Sequence, residues 1–214
     1  MTRTSAAVLS LVAATIVSAG CAHVIGGTPA LPATVTSHHN HTVDVDSVLL
    51  TTPELRGLTG AGPELTEVPG MDATTPVDED NLVQLAPPEC QFVFRESLIF
   101  GPDIDQFHKT GFQAPPRAAL LTEGAAVYAD ADTARRAFDN VANMVMTCGN
   151  TTFASMFVGQ WTADDTTLRT RTVGSCGRVY RIESAVLIEV TYCGYPAAVP
   201  EEVAKQMAAK VAPR

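Results

Sequence analysis

Hydrophobic positions toward the C-terminus of this chain follow two periods, one of two residues and one of three to four. Val186, Ile188, Val190 and Tyr192 share one face of an alternating run with Val179, while Leu187, Tyr180 and Ile182 share the other, so 178–183 and 186–192 read as two β-strands. Apolar residues on both faces place this pair inside a sheet that is covered on both sides. A two-residue turn at Ser184-Ala185 sets 183 opposite 186 and, counting outward, Cys176 opposite Cys193. That pair falls in the closer, non-hydrogen-bonded class of an antiparallel ladder, which suits a cross-strand bridge. Ser-Ala lacks the Gly or Asn that primed turns prefer, which leaves a longer turn or a shifted register open.

The longer period marks helices. Phe138, Val141, Val145 and Cys148 form one apolar stripe, which Asp130 or Asp132 can cap and Gly149 is expected to end. Cys148 then faces the core in the last turn. Thr52 as N-cap and Pro53 as first helical residue start a short helix with Leu55 and Leu58 inward and Gly60 as its stop. After Pro200 a closing helix carries Glu201 and Glu202 in its first turn, Val203, Met207 and Val211 inward, and Lys210 near its end, as the helix dipole favours. Ala118 to Tyr128 reads as a strand, Phe92, Phe94, Leu98 and Phe100 are alternating or nearly so, and the segments around Trp161 and Leu168 read as further strands. From Gly60 to Pro88 the chain is rich in Gly, Pro, Thr and acids such as Asp78, Glu79 and Asp80, which predicts surface rather than core. The carboxylates there do not follow the spacing of an EF-hand loop. Together the elements predict an α+β domain, a mostly antiparallel sheet packed with helices.

The N-terminus states an address. Arg3, an apolar run from Ala6 to Val17 and small residues leading to Cys21 form a secretory signal, too short for a confident membrane span. Ser18-Ala19-Gly20-Cys21 resembles a bacterial lipobox, in which the signal is cut before the cysteine and the new terminus carries palmitate-type acyl chains; Ser18 stands where Leu is usual. Residues 1–20 therefore read as signal peptide, 21–43 as lipidated N-terminus and flexible tether spanning roughly 25 Å, and 44–214 as the folded domain. Each buried methylene contributes about 0.8 kcal/mol, so two or three acyl chains anchor stably in the bilayer. The expected location is the extracytoplasmic face of the cell membrane. A net charge of −9 argues against a nucleic-acid partner, which needs a basic footprint.

With Cys21 acylated, Cys90, Cys148, Cys176 and Cys193 remain, an even set that predicts two disulfides in one of three pairings. Joining Cys176 to Cys193 across the hairpin leaves Cys90 with Cys148. No pair has CxxC spacing, which disfavours a zinc site and a thioredoxin-type motif. His38, His39 and His41 could ligate a transition metal, but no acidic or Cys partner is close in sequence, so they read as a solvated linker; no metal or cofactor is expected. Gly174-Ser175-Cys176-Gly177 superficially suggests a nucleophile loop, with His108 as base and Asp103 or Asp105 as its orienter. A bonded Cys176 cannot attack, and Ser175 lacks the G-x-S-x-G elbow. The expectation is no enzyme, with a hydrolase the least favoured reading.

Certain stretches, taken in order, resemble a known family. They are Leu49-Leu50-Thr51-Thr52-Pro53-Glu54-Leu55, Cys90 after an acidic, proline-rich stretch, Val127 to Asp132 leading into the helix that ends in Cys148, and Cys176 to Cys193 before a C-terminal helix. The whole, from Val45 to Val211, resembles the PknH-like extracellular domain family, which includes the sensor of a mycobacterial serine/threonine kinase and mycobacterial lipoproteins. The resemblance implies a mixed domain with the disulfides paired as above, a cleft for an unidentified ligand, and no chemistry. The expected function is a cell-envelope lipoprotein that binds a small molecule or a wall component, Trp161 and Tyr180 being aromatic candidates for the cleft. The alternative is an interaction or assembly module with an envelope protein partner, which an exposed apolar patch would favour.

Overall fold

The computed structural model describes residues 43–211; the signal segment, Cys21, the tether up to residue 42 and with it His38, His39 and His41 lie outside the described residues, while Val43, expected as the tether's last residue, packs against the core. Within 43–211, seven antiparallel strands form one sheet: β1 (Thr66–Glu67), β2 (Ile104–Ala114), β3 (Ala119–Tyr128), β4 (Gln160–Ala163), β5 (Thr167–Arg171), β6 (Cys176–Glu183) and β7 (Val186–Cys193). Their spatial order is β1-β2-β3-β7-β6-β5-β4, so the β6–β7 hairpin is central. The seven α-helices among the described residues are α1 (Val45–Val48), α2 (Thr52–Thr59), α3 (Asp80–Val83), α4 (Glu96–Phe100), α5 (Ala131–Gly149), α6 (Ala154–Phe157) and α7 (Ala198–Val211).

Alternation along the strands divides the core in two. Leu121, Ala125, Val127, Val179, Val186, Ile188 and Val190 face α1, α2 and α7, which contribute Val48, Leu55, Val203, Met207 and Val211. Ala126, Tyr128, Leu168, Tyr180, Ile182 and Leu187 face α4 and α5, which contribute Phe100, Phe138, Val141 and Val145. Both faces of the hairpin are therefore covered. Asp130 caps α5 by accepting from Thr133 N at 2.7 Å, and the stripe from Phe138 to Cys148 is buried.

Ser184 and Ala185 make the two-residue turn, and the register runs from Glu183 opposite Val186 to Cys176 opposite Cys193. Cys176 and Cys193 are bonded with Cα atoms 4.0 Å apart, and Cys90 is bonded to Cys148. In the chain-entropy description the 58-residue separation of the second bridge contributes about 4 kcal/mol and the hairpin bridge about 3. The longer bridge ties the 3-10 turn of Pro88–Phe94 to the end of α5.

Several expectations need correction. The stretch from Gly60 to Pro88 is not all surface: it supplies β1 at one sheet edge and buries Leu65 and Val83. Strand β2 was not expected, because Asp105, Gln106, His108, Lys109 and Thr110 break its apolar pattern; Phe107 and Phe112 carry its burial. Phe92 and Phe94 lie in a 3-10 turn, and Leu98 and Phe100 in α4. The N-cap of α2 is Thr51 rather than Thr52, and α7 begins at Ala198, ahead of Pro200. Gly149 does not stop α5 in a left-handed conformation but is its last residue, with Asn150 as C-cap. A Cβ at Gly149 would lie 2.6 Å from Trp161 Nε1, so the glycine is there for close approach by the indole.

The hairpin turn works without Gly by holding Ser184 at φ 52°, the left-handed region at the first turn position. Relief of that strain predicts that Ser184→Gly raises stability by about 0.5–1 kcal/mol after the extra backbone freedom of glycine is subtracted. In thermal melts Tm should rise by about 1–4 °C. A fall in Tm would mean that Ser184 is not held left-handed.

Candidate functional site: a cationic groove beside the closing helix

Strand β5 begins at a turn organised by Asp164. Its carboxylate accepts from Thr166 N and Thr167 N, both at 2.9 Å, and from Arg169 Nη1 at 3.1 Å, and these bonds hold it at a pKa of about 2. From that turn the alternation of β5 sends Thr167, Arg169 and Arg171 to the face that carries α7. Register with β6 sets Arg181 opposite Thr167 and Val179 opposite Arg169. Helix α7 closes the other side, and Arg169 Nε meets Glu201 Oε1 at 3.4 Å.

Between these elements lie two adjoining cavities. One, of about 170 Å³, is lined by residues that include Trp161, Arg169, Arg171, Tyr192 and Glu201. The other, of about 350 Å³, is lined by Thr167, Arg169, Arg181, Ala198, Glu201 and Lys205 among others. Arg169, Val179 and Glu201 belong to both, so the two form one groove. Gly177 lets Tyr192 lie across the sheet here, since a Cβ at that position would stand 2.8 Å from the Tyr192 hydroxyl. A second pair of cavities beside the start of β2, of about 250 and 460 Å³, shares Asp103, Thr133 and Arg136 and is acidic in its remaining charge.

The opposite sheet face holds a network of paired charges. Arg178 Nε lies 3.4 Å from Glu189 Oε1, which also accepts from Thr191 Oγ1 at 3.0 Å, and Lys109 pairs with Glu96. Arg178 donates to Val93 O and, at 3.5 Å, to the Tyr180 hydroxyl. Desolvation pushes both the Glu189 carboxyl and the Tyr180 phenol up, with Arg178 opposing in each case. Tyr180 is fully buried in this network; Trp161, 38% exposed, borders the smaller cavity from β4, but its register with Thr170 and the approach of its indole to Gly149 place the ring on the α5 face.

The residues considered as a nucleophile set are not brought together. His108 on β2 aligns through Ala125 and Ile188 with Arg181 on β6, and Ser175 lies six residues beyond that. The separation is roughly 14 Å across the strands and roughly 20 Å along them. His108 is engaged elsewhere, its Nδ1 2.7 Å from Asp46 Oδ1 and its Nε2 3.3 Å from Asp72 Oδ1. Asp103 belongs to the acidic cavities, as does Asp105, and Cys176 is in its disulfide. Among the described residues no group of three or more His, Cys, Asp or Glu side chains is placed to hold a metal ion.

With this geometry in place, the sequence from 41 to 210 matches the profile of the PknH-like extracellular domain family. The chain belongs to that family. Its fold is similar to the crystal structure of the extracellular domain of PknH from Mycobacterium tuberculosis, with a TM-score of 0.60, covering 78% of this chain and 94% of that one. At 16% identity the likeness is one of fold. No curated protein matches the sequence. As a PknH-like domain the chain is extracytoplasmic, and among the described residues no helix is long and apolar enough to cross a membrane. The motif residues that carried the resemblance are structural in this PknH-like domain: Thr51 and Glu54 form a capping box on α2, and Leu50 N donates to the carboxylate of Glu123.

The cationic groove was missed by sequence reasoning. Arg169 and Arg171 on one strand face were a readable signal, but Arg181 and Lys205 join them only through the β5–β6 register and the seating of α7.

On the same sheet face, beneath the α1–α2 junction, Glu123 is fully buried and accepts from Leu50 N at 3.0 and 3.2 Å and from Thr110 Oγ1 at 3.4 Å. Desolvation pushes its pKa up to about 8 against those bonds. A folded pKa above the ordinary 4.5 means that its contribution is fully present below pH 4.5 and is lost as pH rises through 8. Glu123→Gln removes the charging step and keeps an acceptor for Leu50 N. The variant should gain on the parent in urea unfolding as pH rises from 4.5 to 8, by on the order of a few kcal/mol at about 1.4 kcal/mol per pH unit. A difference that stays flat across that range would show that Glu123 titrates normally.

Proposed function

We propose that the protein is a lipid-anchored, sensor-type domain of the cell envelope, acylated at Cys21, that captures a small molecule or wall component in the groove between α7 and β4–β6 and performs no chemistry on it. The observation that carries this reading is the groove itself. Its two cavities adjoin over the outer part of the sheet, where α7 leaves strands β4 and β5 uncovered, and they combine Val179 and Tyr192 with charged side chains. Concave sites that mix apolar walls with a few polar groups are where small ligands bind. Family membership supports the extracytoplasmic setting, and the lipobox-like Ser18 to Cys21 supports the anchor.

A second reading has its own observation. Met146, Phe153, Met156 and Trp161 are exposed around the end of α5, α6 and β4, with Met156 at 65%. An apolar surface beside a free sheet edge suits an interaction module with an envelope protein.

Native mass spectrometry of the mature chain, released in neutral detergent after exposure to an envelope extract, separates the two readings. The parent should carry acyl mass and retain a small molecule, and Ala198→Trp, which fills the larger cavity, should retain at least tenfold less. Equal retention by the variant would remove the groove from the account. Absence of acyl mass at Cys21 would remove the anchor.

A further inference from the structure

The groove is electropositive in a molecule that is not. The chain carries a net charge of −9, yet Arg169, Arg171, Arg181 and Lys205 line the two cavities against only Glu201 and Glu202. Arg169 and Arg171 stand two residues apart on one strand face, roughly 7 Å, and Arg181 is the diagonal neighbour of Arg169 on the adjoining strand. Like charges at such spacing destabilise a sheet unless each is compensated.

Compensation is uneven. Arg169 meets both Asp164 and Glu201, and Lys205 lies 3.6 Å from Glu202. Among the described residues Arg181 reaches only the Thr167 hydroxyl, at 3.3 Å, and its buried Nε has no hydrogen-bond acceptor. Arg171 makes no side-chain hydrogen bond or ion pair among the described residues. A buried guanidinium N–H without an acceptor is a donor held out of water at a cost, and an oxyanion supplies what it lacks. Guanidinium forks match phosphate and carboxylate geometry in a way that ammonium groups do not.

We propose that the groove binds an extended oxyanionic ligand, a molecule bearing phosphate or carboxylate groups that are held by Arg171 at one end of the groove and by Arg181 at the other, roughly 13 Å away along the strands, with the remainder lying along Val179, Tyr192 and Ala198. This rests on the ligand-binding reading of the groove and adds the chemical class. A free phosphorylated solute and a phosphorylated headgroup in a bilayer offer the same oxygens, so the test has an arm for each.

The acylated chain in neutral detergent is titrated calorimetrically with inorganic pyrophosphate and with citrate, and its acyl-free form, Cys21→Ser, is tested for co-sedimentation with phosphatidylcholine vesicles containing phosphatidylinositol. Three variants accompany the parent: Arg171→Glu at an exposed site, Arg181→Gln, and Arg136→Glu as an equal change of net charge outside the groove. Circular dichroism and melting temperature check that each is folded. Saturable binding in either arm that Arg171→Glu weakens at least tenfold and Arg136→Glu leaves within twofold supports the proposal, and the arm identifies the source of the anion. If Arg181→Gln does not fold, Arg171→Glu decides alone. No saturable binding in any arm, or equal loss in Arg136→Glu, overturns it. If the anions fail while Ala198→Trp still abolishes retention of an envelope molecule, the ligand class is wrong and the groove stands; if both fail, the groove reading falls with it.

Discussion

The register of β6 against β7 is the constraint on which the rest of the structure depends. Because side chains alternate, a slip of one residue would turn Val179 and Arg181 to the α5 face and Tyr180 and Ile182 to the α7 face, and would separate Cys176 from Cys193. Three features agree in fixing it: the two-residue turn at Ser184-Ala185, apolar sets on both faces, and the bridge at the open end. The outward strands inherit it. Pairing with β6 aligns β5, which positions Arg169 and Arg171, and pairing with β7 aligns β3, which positions Glu123 beneath Leu50.

The two faces of the sheet then separate roles. On the α5 face, charges such as Arg178, Glu189, Lys109 and Glu96 are paired with each other and with backbone, and the arrangement is closed. On the α7 face the helix covers β6 and β7 but stops short of the outer strands, so β5 carries arginines into a concave surface. On the first face the Arg178–Glu189 and Lys109–Glu96 pairs compensate each other, whereas on the second Arg181 keeps an unused donor beside an open cavity. That contrast is why the groove, and not the larger buried ion-pair network, is the place for a ligand.

Legibility in the sequence followed periodicity. The hairpin, α5 and α7 were readable because long runs keep one period, and the cysteines were readable because the hairpin count is arithmetic. Strand β2 was hidden because its polar residues His108, Lys109 and Thr110 are covered by neighbours such as Asp46, Glu96 and Glu123 rather than by apolar contacts. Leu65 and Val83 were hidden because single core residues in a Gly- and Pro-rich stretch have no period at all. The groove needed three elements distant in sequence, β5, β6 and α7, and no local pattern encodes their meeting.

Amide hydrogen exchange across the whole mature chain, with and without the envelope extract, tests the central claim most directly. Ligand capture in the groove predicts slowed exchange centred on β5, β6 and the first turns of α7. Protection centred instead on the end of α5 and α6, with β5, β6 and α7 unchanged, would contradict it and give the molecule to a protein partner.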